Sequence, residues 1–148
     1  MGKHTYENLE IVQKATIILA EYVEHLAGPT GLMTVVYSRL DATRKNMDFD
    51  VVKVVAGLMQ DNYPERLHQA MAAPTGPLLR GAWKVVQLFF DPRTRAKLCL
   101  VKDVDGFKDA VDASSLPTEI GGTCTEPLSV QPIVEFAEQA WAASRTET

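Results

Sequence analysis

The 148-residue sequence predicts an α/β fold: a mainly parallel sheet with helical crossovers, and an apolar lid helix over a hydrophobic pocket. Three observations lead there. Segments of helical and strand periodicity alternate in the order α-β-α-β-α-β-α-α, and strands separated by helices form parallel sheets through right-handed crossovers. Gly and Pro clusters stand at the junctions, as at Gly28-Pro29 and Pro74-Thr75-Gly76-Pro77. One helix, Pro77 to Phe90, is apolar around most of its circumference.

The first helix runs from Thr5, a fitting N-cap, to Ala27. Leu9, Ile11, Val12, Ala15, Ile18, Leu19, Tyr22, Val23 and Leu26 fill one half of its wheel, with Glu10, Lys14, Glu21 and Glu24 on the other. Gly28 to Gly31 turns the chain into a strand, Met33 to Leu40, centred on Val35-Val36-Tyr37. A polar loop, Asp41 to Met47, leads to a helix from Asp48 to Asp61. Tyr63-Pro64 ends it, because a residue before proline avoids the helical region. Glu65-Arg66-Leu67 fits one further turn, and His68 to Ala73 the second strand, although its alanines have poor β propensity. Pro77 suits the first position of the third helix and Asp91-Pro92 its end. Lys97 to Lys102 is the third strand, Asp105 to Val111 a short helix, Ser114 to Gly122 a loop, and Pro132 to Ala143 a final amphipathic helix.

The chain is 46% hydrophobic and 23% charged, the balance of a globular protein, and residues 1–148 are expected to form one domain. A net charge of −4 argues against general nucleic-acid binding. Cys99 and Cys124 form no CxxC pair. Met1 to Glu10 lacks the apolar run of a secretion signal, so a cytoplasmic location is expected. Neither GxGxxG, GxxxxGK[ST] nor GxSxG occurs. His4, His25 and His68 have no metal-ligand spacing around them, and no nucleophile–base constellation is visible. The expectation is no catalytic residue, no metal and no cofactor.

On the third helix, Arg80, Lys84 and Gln87 fill a polar stripe of only about 60°, where a surface helix needs an apolar stripe of about 100° or more. Leu78, Leu79, Ala82, Trp83, Val85, Val86, Leu88, Phe89 and Phe90 fill most of the rest. Such a helix is either central core or a lid, with the body on one side and a hydrophobic ligand or membrane on the other. Residues 80–108 hold seven Lys/Arg and three acids, a local charge of +4 that leaves −8 elsewhere. A basic, apolar segment on an acidic protein fits transient docking to anionic lipid through Lys84, Arg93 and Arg95, and hence a peripheral membrane association.

The run Asn62-Tyr63-Pro64-Glu65-Arg66-Leu67, then Pro74, Trp83, Leu88-Phe89-Phe90-Asp91-Pro92-Arg93-Thr94 and Leu116-Pro117-Thr118-Glu119-Ile120-Gly121-Gly122 resembles the CRAL-TRIO lipid-binding family. The resemblance covers about residues 5–122, leaving 123–148 as a C-terminal tail and helix. It is to the lipid-binding core, without the N-terminal helical unit and first strand that usually precede it. It implies a sheet flooring a lipid pocket, a mobile gate matching Trp83 to Phe90, structural roles for Glu65 and Arg66, and no enzymatic activity. Glu119 stands where phosphatidylinositol-transferring members carry lysine. The expected lipid-binding residues are Val35, Tyr37, Met71, Ala73, Leu98 and Leu100 on the floor and Trp83, Val86, Phe89 and Phe90 on the lid. The sequence leaves open which face of each strand points inward. The expected function is binding, with transfer or sensing, of a lipid or other small hydrophobic molecule. The alternative is a protein-interaction or regulatory module on the same fold, with a protein partner or a homodimer.

Overall fold

The computed structural model describes residues 6–29, 31–42 and 49–146. Its elements are helix α1 (Tyr6–Ala27), strand β1 (Met33–Ser38), helix α2 (Phe49–Asn62), strand β2 (Leu67–Ala73), helix α3 (Pro77–Val86), helix α4 (Pro92–Ala96), strand β3 (Leu98–Leu100) and helix α5 (Gln131–Thr146). Short 3₁₀ turns follow α3 (Gln87–Phe89) and populate the stretch after β3 (Val104–Asp109, Ala113–Ser115, Thr118–Ile120). The expected caps Thr5 and Asp48 lie outside the described residues.

Among the described residues the three strands form one parallel sheet in the order β1-β2-β3, so the α/β class and the parallel sheet stand as expected. Some details differ. The apolar run to Phe90 leaves α-helical geometry at Val86 and tightens into a 3₁₀ turn. The chain after it forms α4, where the sequence predicts only the end of the third helix. Its signal is local: the Asp91 carboxylate accepts from the amides of Arg93 (2.9 Å) and Thr94 (3.0 Å), and Pro92 fills the first helical position. These bonds hold the Asp91 carboxyl below its usual range, the Thr94 contacts contributing most. The helix expected at Asp105 to Val111 is the 3₁₀ turn Val104–Asp109.

One face of the sheet carries the core. Met71 and Ala73 of β2 pack with Phe107 and Leu116, and Val36, Cys99, Val101, Val104 and Ile120 close around them. Phe107 is fully buried, which stabilises the fold by about 1.5–3 kcal/mol. The 3₁₀ stretch clings to this face because of two glycines. Gly121 takes the left-handed conformation (φ 85°) that a side chain disfavours. A Cβ on Gly122 would overlap the Leu116 carbonyl. The strap closes through Gly122 N–H to Pro117 O (3.0 Å) and Cys124 N–H to Leu116 O (3.0 Å).

Helix α1 packs on α2 and α5. Ala20 of α1 and Ala56 of α2 are buried, and Tyr22 and His25 set their rings on Phe136 of α5 (centroids 5.6 and 5.2 Å).

Candidate functional site

Register decides which strand residues share a face. Val35 pairs with Ala70 and Ala70 with Leu98; Tyr37 pairs with Ala72 and Ala72 with Leu100. Because side chains alternate across a strand, these six form one surface: two alanines between Val35 and Tyr37 on one side and Leu98 and Leu100 on the other. The alanines make a shallow trough. Val35 and Tyr37 keep 43% and 57% of their surface exposed. Met71 and Ala73, expected on the same floor, alternate to the opposite face and are sealed in the core. The expected floor therefore mixed two phases. The partner of Thr34 is Gln69 while that of Met33 is Leu67, so His68 is an extra residue in β2 that resets the pairing.

The back of the sheet is occupied by the 3₁₀ strap. The connections β1 to β2 and β2 to β3 step the same way across the sheet, so right-handed crossovers place α2 and α3 together on the trough side. The two helices touch. On α3, Val86 is buried and Trp83 half-buried, with the Trp83 and Phe90 rings 6.4 Å apart; Phe89 and Phe90 beyond it are half-buried. Leu78, Val85 and Leu88 project outward instead, Leu88 with 67% exposure. The expected lid residues are thus the more covered side, and a second apolar side faces solvent.

Gln60 of α2 fastens the end of this segment. Its Nε2 donates to Phe89 O (3.3 Å) and its Oε1 accepts from Asp91 N–H (2.9 Å). Nothing in the sequence singles Gln60 out, because the bracket depends on how α2 lies against the turn. At the other end of α3, Gly76 provides no side-chain cap.

Of the expected docking cations, Lys84 and Arg93 are exposed. Arg93 lies 3.6 Å from Glu65, a solvent-exposed pair worth little. Arg95 is half-buried and spends one nitrogen on Phe90 O (3.1 Å), so it is not a free surface charge.

The Tyr63-Pro64-Glu65-Arg66 segment is structural. Glu65 turns the chain with φ 60°. Arg66 donates to Pro29 O (2.7 Å) and Gly31 O (3.3 Å) and pairs with Glu24 (2.5 Å). The buried Tyr63 donates its hydroxyl to Glu21 (2.6 Å), and burial followed by that bond pushes its pKa up to about 12. Thr75, also buried, spends its hydroxyl on Val101 O (2.6 Å). Cys99 accepts from Gln69 Nε2 (3.2 Å). Among the described residues, no three His, Cys, Asp or Glu side chains converge on a metal position, and no helix is long and apolar enough to cross a membrane.

A family model of the CRAL/TRIO domain matches residues 1–122. This chain belongs to that family. It is 31% identical over 123 residues to a CRAL-TRIO domain-containing protein of Schizosaccharomyces pombe, covering 80% of this chain and 33% of that protein. A phosphatidylinositol/phosphatidylcholine transfer protein of Arabidopsis thaliana is 35% identical over 78 residues, 51% of this chain and 13% of the relative. A phosphatidylinositol transfer protein of Eremothecium gossypii is 24% identical over 115 residues, 78% and 25%. The crystal structure of Sfh5 shares the fold, with a TM-score of 0.72 at 21% identity over 96% of this chain and 55% of Sfh5. The CRAL/TRIO chain described here thus spans a third or less of the three relatives' sequences and about half of Sfh5.

Proposed function

We propose that this CRAL/TRIO chain binds one lipid tail or comparable hydrophobic molecule in the trough of its sheet, with α3 and the Gln87–Phe89 turn as the gate, and that it carries rather than transforms its ligand. The observation that carries the reading is the Val35, Tyr37, Ala70, Ala72, Leu98, Leu100 surface: apolar, grooved by alanines and still exposed at one side. The transfer proteins among its relatives support the ligand class. Covering the trough would add about 25 cal/mol for each Å² of apolar surface removed from water. Thr75 has its hydroxyl committed to Val101, which favours recognition of the tail over a headgroup at that position. The outward Leu78, Val85 and Leu88, flanked by Lys84 and with Arg93 beyond, suit transient contact with an anionic bilayer during exchange.

Native mass spectrometry of the purified protein, followed by solvent extraction, tests the binding. The expected result is one co-purified lipid per binding chain. Protein that carries none and takes up no fluorescent phospholipid from vesicles overturns the reading.

A further inference from the structure

Gln60 reaches from α2 to the end of the gate segment, and its carboxamide matches the groups it meets there. Its Nε2 donates to Phe89 O (3.3 Å) and its Oε1 accepts from Asp91 N–H (2.9 Å), across 29 and 31 residues of sequence. The other bonds of this turn are local. Phe90 N–H donates to Gln87 O (3.4 Å), Arg95 donates to Phe90 O (3.1 Å), and the Asp91 carboxylate caps α4. Local bonds travel with the segment when it moves, whereas those of Gln60 must break. Asp91 is exposed and Phe89 half-buried, so water can take over both bonds. A bond exchanged for one with water costs little, and the contact can open and close. The other end of the segment is different. Thr75 is buried and fixed, its N–H on Lys102 O (3.2 Å) and its hydroxyl on Val101 O (2.6 Å). Gly76 follows it and gives α3 no side-chain cap, and no other part of the chain lies within 4 Å of where its Cβ would stand. The joint between the sheet and α3 is thus uncrowded.

We propose that the Gln60 carboxamide is the clasp of the gate. Lipid enters or leaves the trough when its two bonds break and the segment from Pro77 to Phe90 swings away from α2 about Gly76. Gln60 thereby sets the rate of exchange without touching the ligand, as a positioning residue. Both of its partners are main-chain groups, one an acceptor and one a donor, and a carboxamide serves both from one planar group. Glutamate has the same length and keeps the acceptor for Asp91 N–H, but it loses the donor and turns a carboxylate oxygen towards the Phe89 carbonyl. Alanine loses both bonds. The inference rests on the reading of the trough as the lipid site, and its test separates the two.

The full chain is loaded with a fluorescent phosphatidylcholine, its occupancy is read by native mass spectrometry, and release into excess acceptor vesicles is then timed. Gln60→Ala is expected to load as the wild type does and to release about tenfold faster. Gln60→Glu, which leaves no cavity, is expected to speed release as well and keeps the test open if the alanine variant folds poorly. Asn62→Ala is the control: it removes another carboxamide bond of α2, to Leu58 O (2.9 Å), and is expected to release at the wild-type rate. Hydrogen–deuterium exchange on the unloaded chains reads the clasp without lipid. In Gln60→Ala, uptake is expected to rise in peptides spanning Trp83 to Asp91 and to stay unchanged in the Val104 to Ile120 strap. Wild-type release rates in both Gln60 variants overturn the clasp, as does an equal acceleration in Asn62→Ala or unchanged deuterium uptake at Trp83 to Asp91. A wild type that takes up no phospholipid fails at the loading step, which overturns the trough reading and the control of exchange together. Normal loading with unaltered release overturns the clasp alone.

Discussion

Met71 and Ala72 are neighbours in β2, yet Met71 lies in a closed core and Ala72 in a trough that water still reaches. The two faces of this sheet are covered by different means. The back is sealed by a strap of 3₁₀ turns that follows the strands closely, with glycines where it must turn sharply or touch the backbone. The trough side is approached by regular helices, whose diameter keeps them off a surface lined by alanine. One face is closed by the core, and the other leaves Val35 and Tyr37 open to water.

The contrast is broken most severely from the back. Phe107→Ala leaves a cavity in the core and is expected to cost about 3–5 kcal/mol in a denaturant titration. Gly122→Ala forces a methyl against the Leu116 carbonyl and is expected to cost about 1–3 kcal/mol, read as a lower melting temperature. On the front, Ala72→Trp fills the trough and is expected to change stability by less than about 1 kcal/mol while abolishing uptake of a fluorescent phospholipid. A large loss of stability in that variant would make the two faces equivalent and remove the contrast. The smallest effect is expected from Lys84→Glu with Arg93→Glu. Stability and uptake of a soluble ligand stay as they were, and co-sedimentation with anionic vesicles weakens at low salt only.

Strand and helix positions were legible because alternation and 3.6-residue periodicity are local properties. The faces were not. The sequence Leu67-His68-Gln69-Ala70-Met71-Ala72-Ala73 offers small apolar residues in both phases, and the pairing that separates them depends on the extra residue His68 opposite β1. The cap of α4 was written plainly in Asp91-Pro92-Arg93-Thr94, but the proline reads equally as a stop. The outward Leu78, Val85 and Leu88 follow from the all-round apolar wheel, while the choice of covered side needed the neighbouring helix. The role of Gln60 was out of reach, because its bracket arises only when segments far apart in sequence meet.

Arg66 has a consequence for how the chain reaches its native state. Its guanidinium joins the start of β2 to the end of α1 and the turn after it, across sequence separations of 35 to 42 residues. Such a contact forms only after β1 and α2 have docked, because closing a longer loop costs more chain entropy before any bond rewards it. The contact is therefore expected to form on the native side of the folding barrier. Arg66→Ala is expected to leave the refolding rate nearly unchanged and to speed unfolding. By that account the fork acts as a latch on the finished αβα unit, setting how long the folded chain persists rather than how fast it is made.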